Sequence, residues 1–404
     1  MRILFVSQLF DPEYSIKGLS LMKYWVEQGY EVEVLTTFPN YPLGKVFDGY
    51  KLKLKTVEMH DGVKVVRLWS YISHSKSKAS RAFSYLSFIF MALFYALFSR
   101  KPDIVYGYHP QITTGIVGVL LKKIKKTKFI TDVQDLWPDS LVALGVKKNS
   151  SLVKAIDWWV DKIYLHADKV VVLSEGFKKS LIDRGVDAEK ISVIYNWCPE
   201  EELIEKTLVR STYEINNLDA LKLVYAGNVG SVQGLQYVID AVSFMSEKEL
   251  IFDIYGGGVE LEKLKEYVRN KKISNVNFLG FLPPSELFYR LCFADILLVH
   301  LIDDDLFKIT IPSKTQSCMA LAKPILMAVG GEANDIVNNA VAGFVASPGS
   351  VASIRLAIIE ALNNSDQWSS MGTNSRNCYM TKFSTKVNYK NLDEVLRSCM
   401  NVHA

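Results

Sequence analysis

Two successive series of short apolar runs, each run separated from the next by a longer stretch of helical periodicity, constrain this chain more than any other feature. The first series is "RILFVSQ", "EVEVLTT", "DIVYGY", "KFITDVQD" and "KVVVLS"; the second is "LKLVYAG", "LIFDIYGGG", "VNFLGF", "DILLVHL" and "PILMAV". Runs that are apolar throughout read as strands buried on both faces, and the intervening helices must cross over to cover those faces. The pattern predicts an α/β chain of two Rossmann-like, doubly wound parallel-sheet domains facing a cleft. Length agrees, since 404 residues exceed what one hydrophobic core ordinarily holds. The charge-rich segment Asn196–Ala220, poor in apolar periodicity, is the expected linker. The expected domains are therefore 1–198 and 199–382, with the helical segment 383–404 completing the first.

A hydrophobic share of 49% argues against disorder, and a net charge of +4 is too small to argue for nucleic acid unless the basic residues cluster. Five scattered cysteines, an odd number without a C-x-x-C pair, do not suggest a disulfide framework and fit a reducing cytosol. "MRILFVSQLF" enters a strand directly and lacks the pattern of a signal peptide, so a cytoplasmic protein is expected.

In open parallel sheets, ligands sit beyond the carboxyl ends of the strands, where helix N-termini attract anions. Three strand-to-helix turns of the second series fit. "GNVGSVQGL" carries Gly227, Gly230 and Gly234; "GGG" is Gly256, Gly257 and Gly258; "IPSKTQSCMALAKPIL" offers Ser313 as a helix cap and Lys314 as a cation. Each glycine cluster alone is as well explained by a tight turn. Three on one sheet edge, with a lysine, point to a diphosphate.

"GYEVEVLTTFPNYPLG", "VQDLWPDSLVALG", "YAGNVGSVQGL", "FLGFLPPSELFYRLCFADILLV" and "IPSKTQSCMALAKPIL" together resemble the GT-B glycosyltransferases of family 4 over nearly the whole chain. The similarity is greatest to WbuB-type N-acetyl-L-fucosamine transferases of bacterial surface-polysaccharide synthesis. The resemblance implies a UDP-sugar donor on the second domain and an acceptor on the first; no required metal is expected, because no second acidic cluster accompanies "DDD". The family's basic pair falls on Asn228 and Gln233, both uncharged here. Its two glutamates, separated by seven residues, fall on Ile309 and Ser317. Those departures put the usual sugar contacts and retaining stereochemistry in doubt. Glu332 and the run Asp303 to Asp305 are the nearest acidic substitutes, and Phe281 and Leu282 match the stretch whose backbone meets the base. A pocket without the sugar-side carboxylate suits a 6-deoxy N-acetyl sugar.

For the acceptor side, "DVQDLWPDS" places Asp132 and Asp135 at a strand's carboxyl end. Either can act as general base toward an acceptor hydroxyl, and either can instead cap the turn before Trp137-Pro138. His109, in "YGYHPQIT", is a second choice. The loop "FDPEYSIKGLS" matches the family's acceptor loop with Gly18 alone where a glycine pair is common; its Glu13 is either an acceptor contact or a solvated acid.

"AFSYLSFIFMALFYALF", Ala82 to Phe98, carries no charge and reaches the lower length limit of a membrane span. The strands at Ile3 and Ile104 are expected in one sheet, so a crossing is not expected and the choice lies between a core helix and an interfacial one. Lys76, Lys78, Arg81, Arg100 and Lys101 flank it, and "LKKIKKTK" adds five lysines. Apolar surface beside a basic patch is how an enzyme adheres to an anionic leaflet, and a polyprenyl-diphosphate-linked acceptor in O-antigen or capsule synthesis would explain it. The expected location is peripheral, on the inner face of the plasma membrane.

Two other readings stay open: a UDP-sugar 2-epimerase, which needs more cleft carboxylates than are visible, and a nucleotide-binding protein without catalysis. "DDD" as a metal site lacks a second cluster. A serine hydrolase would need a G-x-S-x-G elbow, which is absent.

Overall fold

The computed structural model describes residues 1–41, 44–72, 78–143, 146–147, 149–211 and 220–401. The chain divides into two compact units, Met1–Ile194 with Tyr389–Ala404, and Tyr195–Asn388.

The first unit is built on β1 (Arg2–Val6), β2 (Glu31–Thr37), β3 (Lys55–His60), β4 (Val63–Leu68), β5 (Ile104–Gly107), β6 (Lys128–Val133), β7 (Lys169–Val172) and β8 (Ile191–Val193). Their order is β3-β4-β2-β1-β5-β6-β7-β8, parallel except for β3 against β4. The order reverses beside β1, the switch point at which parallel sheets bind ligands. The hairpin β3/β4 escapes the sequence pattern because β3 alternates exposed and half-buried residues at the sheet edge. At the centre, the fully buried Phe5 stacks on Tyr106 with centroids 5.6 Å apart and meets the edge of Trp25 at 6.2 Å. Removing such a ring typically destabilises by about 3–5 kcal/mol.

The helix Lys78–Phe98 buries Phe88, Ala92 and Ala96. Its opposite side exposes Phe83, Leu86, Phe90, Phe94 and Phe98, the last by 80%. The helix is thus core on one face and an apolar surface on the other. Among the described residues no helix is long and apolar enough to cross a membrane. Lys76 and the side chains of Lys78 and Arg81 lie outside the described residues.

The second unit holds β9 (Leu221–Ala226), β10 (Leu250–Tyr255), β11 (Val276–Gly280), β12 (Ile296–His300), β13 (Ile325–Ala328) and β14 (Gly343–Val345). They form one parallel sheet in the order β11-β10-β9-β12-β13-β14. Its switch point lies between β9 and β12. The expected linker is structured in part: Glu201–Ser211 is a helix of this unit, its charged exterior hiding the fully buried Ile204. Glu201 is fixed there by the Tyr379 hydroxyl at 2.7 Å and the Thr385 N–H at 2.7 Å. Residues 212–219 of that segment lie outside the described residues. The final helix is Thr385–Asn401, which joins the first unit from Tyr389, where Tyr389 packs on Tyr24 at 5.1 Å.

Candidate functional site

Parallel strands place the three glycine and lysine turns of the second unit on one sheet edge, and the side chains and backbones there close on one another. Gly227, with φ 139°, follows β9; Gly256 and Gly258, with φ 114° and 159°, follow β10. A Cβ on Gly256 would run into the carbonyl oxygen of Gly227, and one on Gly258 would lie 2.7 Å from Asn228 Oδ1. The two turns therefore pack backbone to backbone, joined by a Val229 N–H to Gly257 C=O bond of 2.8 Å. A Cβ on Gly257 would lie 2.6 Å from the Phe281 ring, so Phe281, otherwise 80% exposed, forms one end of this wall. Leu282 turns instead toward the core cluster behind the sheet.

Lys314 completes the wall. Its ammonium would lie 2.8 Å from a Cβ on Gly227 and stands 5.0 Å from the Tyr225 ring centroid. Desolvation pulls its pKa below the ordinary lysine value, opposed only by the thiol of Cys318. No carboxylate among the described residues lies within ion-pair distance. A crowded ammonium without a fixed counter-ion is favourable ground for an anionic ligand.

Asn228 and Gln233 form a neutral pair: Gln233 Oε1 accepts from Asn228 Nδ2 and from Gly230 N–H, each at 3.1 Å. Two residues unnoticed in the sequence hold this turn. The Tyr225 hydroxyl donates to the Asn228 carbonyl at 2.6 Å, and His300 Nδ1 lies 2.7 Å from the Gln233 carbonyl. His300 ends β12 on the same edge, a position that could have drawn notice.

Several expectations need correction. Ser313 does not cap its helix: Pro312 occupies that position, Ser313 is the first helical residue, and no side-chain cap bond forms. Ser317 Oγ lies 3.4 Å from Cys198 Sγ, so its hydroxyl serves that contact. Asp303 and Asp305 pair with Lys308 at 3.5 and 2.8 Å, and Asp304 caps the short helix Asp305–Lys308 through Leu306 N–H. The run is thus locally engaged with Lys308 and with its own helix start. Glu332 opens the helix Glu332–Asn339 after β13, at the same sheet edge.

In the first unit, Asp132 leaves the acceptor set. It is fully buried, pairs with the equally buried Lys17, and accepts from Tyr106 Oη and, at 2.5 Å, from Gln134 Nε2. Glu13 is also buried and holds its loop, accepting the N–H groups of Asn40 and Tyr41 at 2.7 Å each, so it is neither solvated nor open to an acceptor. Gly18 precedes the helix Leu19–Glu27, and a Cβ there would strike the Asp11 carboxylate, which caps that helix through Leu19 N–H at 2.7 Å. Gly18 is therefore needed by the loop itself.

Asp135 and His109 remain together. Asp135 is exposed on one side, yet the surrounding protein raises its pKa above the usual carboxylate value, opposed by His109. Burial lowers the pKa of His109, opposed first by Asp135. A carboxylate poised upward beside a neutral imidazole has the properties of a proton acceptor.

Residues 19–197 match the glycosyl transferase 4-like domain, and residues 213–378 match the glycosyl transferases group 1 domain. Both matches are to glycosyltransferase domains, and the two parallel-sheet units have the fold of the GT-B glycosyltransferases. The chain is 27% identical over 258 residues to the probable glycosyltransferase WbjE of Pseudomonas aeruginosa, a match covering 62% of this chain and 64% of that protein. It is 26% identical over 291 residues to the putative colanic acid biosynthesis glycosyl transferase WcaI of Escherichia coli, covering 69% and 71%. In fold it is similar to Anabaena HepE in complex with UDP, with a TM-score of 0.72 at 16% identity over 98% of this chain and 100% of that one.

Proposed function

We propose that this glycosyltransferase takes a sugar from a UDP donor held on the second unit and passes it to a polyprenyl-diphosphate-linked saccharide in surface-polysaccharide synthesis. The observation that carries the reading is Lys314, an ammonium packed on the Gly227 turn and without a carboxylate partner among the described residues. Similarity to a UDP-bound structure and to a colanic acid biosynthesis protein supports it. Phe281 and the Gly256–Gly258 turn border the nucleotide, while the Asn228–Gln233 pair and Gly230 line the diphosphate. Glu332, at the first turn of its helix, is the acidic group offered to the donor sugar.

In the reaction, an acceptor oxygen forms the new bond to the anomeric carbon as the bond from that carbon to the UDP oxygen breaks. The electron pair leaves with UDP, whose developing charge Lys314 neutralises; preorganised cations and N–H dipoles are usually the largest catalytic contribution. The hydroxyl proton passes to Asp135, with His109 beside it. Lys314 gives this chemistry its cation, and no metal enters the proposal.

Ile309 and Ser317 offer no carboxylate to donor-sugar hydroxyls. That polarity suits N-acetyl-L-fucosamine or a related 6-deoxy N-acetyl sugar. The exposed Phe83–Phe98 stripe supports attachment to the inner face of an anionic membrane, where a polyprenyl-linked acceptor resides.

The test is a panel of UDP-sugars with a synthetic polyprenyl-diphosphate-linked sugar. Transfer from a 6-deoxy N-acetyl donor is expected; epimerised UDP-sugar in the absence of acceptor would instead establish an epimerase. Replacing Phe90, Phe94 and Phe98 by serine should reduce sedimentation with anionic vesicles while leaving UDP affinity unchanged.

A further inference from the structure

At the strand-start edge of the first unit, opposite to the edge carrying Asp135, lies a cavity of about 540 Å³. Lys101, Lys122, Lys126 and Lys128 line it, with Asp168, Asp103 and Thr127 among them. The two carboxylates do not balance the four ammonium groups. Asp168 serves Lys122 at 2.7 Å, Lys128 at 3.5 Å and the Phe129 N–H at 2.8 Å, and Asp103 accepts the Arg2 N–H at 2.7 Å. Lys101 and Lys126 have no carboxylate within ion-pair distance among the described residues. Lys126 is held in place by its left-handed backbone, φ 53°, at the end of the helix Gln111–Lys125. Thr127 is only 4% exposed, and its hydroxyl finds no partner among the described residues. A buried, unsatisfied hydroxyl is unfavourable unless a ligand or water completes it.

Two residues away along the chain begins a largely apolar groove of about 640 Å³, lined by Leu54, Leu68, Met91, Phe94 and Phe98, with Lys55 and Tyr95. Ser99 lies in that groove and its carbonyl accepts the Lys125 ammonium at 2.5 Å; Lys101, two residues on, lies in the cavity. Basic hollow and apolar groove thus meet at one end of the Phe83–Phe98 stripe. Their combined chemistry matches an amphiphile with an anionic head.

We propose that this cavity binds a phosphate group, presented by the headgroup of an anionic membrane lipid. Lys101 and Lys126 neutralise the phosphate, the Thr127 hydroxyl donates to one of its oxygens, and Lys122 and Lys128 bound it from the Asp168 side. The acyl chains lie along Phe94 and Phe98. Bound there, the lipid sets the helix Lys78–Phe98 along the membrane surface, with its Phe83 end toward the strand-end edge of the sheet. Only the source of the phosphate rests on the membrane reading above; the cavity chemistry does not.

The experiment uses the full chain, vesicles of phosphatidylcholine with or without one third phosphatidylglycerol, and soluble glycerol 1-phosphate as a separate probe. Lys101→Gln with Lys126→Gln should lower partition onto the phosphatidylglycerol vesicles by about tenfold or more, since each lysine at an anionic surface contributes substantially. Thr127→Val should lower it about threefold. Lys123→Gln with Lys179→Gln, which removes the same charge outside the cavity, should have a smaller effect than the cavity pair. Glycerol 1-phosphate should compete with the vesicles for the natural protein and not for the cavity variant. UDP affinity and melting temperature serve as folding controls. Equal losses in both double variants, or none in either, would overturn the site. If the natural protein ignores vesicles yet binds glycerol 1-phosphate through Lys101 and Lys126, the site stands with a soluble phosphate as ligand, and the membrane reading falls instead.

Discussion

His300 Nδ1 stands 2.7 Å from the main-chain carbonyl of Gln233, so this nitrogen carries the proton and donates it. Its Nε2 is left to accept the Gly349 N–H at 3.4 Å, while Tyr237 stacks on the ring with centroids 6.2 Å apart. One neutral imidazole thereby ties the donor turn to the loop before the helix Val351–Asn363. His300→Phe should weaken UDP binding about tenfold, mainly as a rise in KM, because the carbonyl of Gln233 loses its partner. His300→Gln, which can donate and accept, should recover most of that affinity. Calorimetric titration of both variants checks this; unchanged UDP affinity in the Phe variant would reduce His300 to packing.

Acid should destabilise the protein through the same residue and through His109. Burial lowers both imidazole pKa values below 6.5 in the folded chain. The unfolded chain then binds protons first, so this contribution is present above pH 6.5 and is lost as pH falls through the lowered values. Melting temperature measured from neutral to acid pH should fall, with a shallower decline in His300→Gln.

Asp132 and Lys17 form a buried pair, and its role is structural. Asp132→Ala strands the Lys17 ammonium and should destabilise by about 3–5 kcal/mol. Lys17→Met combined with Asp132→Leu should regain most of the loss and keep turnover. Urea unfolding measures the first and a transfer assay the second; a stable but inactive double variant would return Asp132 to the chemistry.

Asp135→Asn should leave UDP affinity unchanged and reduce turnover by about 10²–10⁴, the usual contribution of a positioned base. The raised pKa of Asp135 places the acid limb of the rate profile above the ordinary carboxylate value of 3.8. A base on the acceptor side implies inversion at the anomeric carbon, readable from the anomeric coupling by NMR. Retention with an active Asn variant would assign the proton to the leaving phosphate.

Strands and glycine turns were legible because they follow from period and local backbone demands: β9 and β10 are apolar except for Lys222 and Asp253, and the turns after them require positive φ at Gly227 and Gly256. Partner choice was not legible. Nothing near Asp132 in sequence distinguishes it from Asp135; the difference is Lys17, 115 positions away. Glu13 is taken by N–H groups 27 and 28 positions on. Ser313 failed as a cap because Pro312, with fixed φ, takes the position before the helix. The place of His300 at the carboxyl end of a strand was legible, but only the fold reveals what its ring touches.

Titration of UDP into the natural protein and into Lys314→Ala by calorimetry tests the central assignment most directly. Loss of a charge-assisted contact should weaken binding by about 1–3 kcal/mol in the variant. The affinity of the natural protein should also decline on the alkaline side below the ordinary lysine pKa of 10.5, because desolvation makes the ammonium give up its proton early. Equal affinity of the two proteins across that range would contradict the account and remove Lys314 from the donor site.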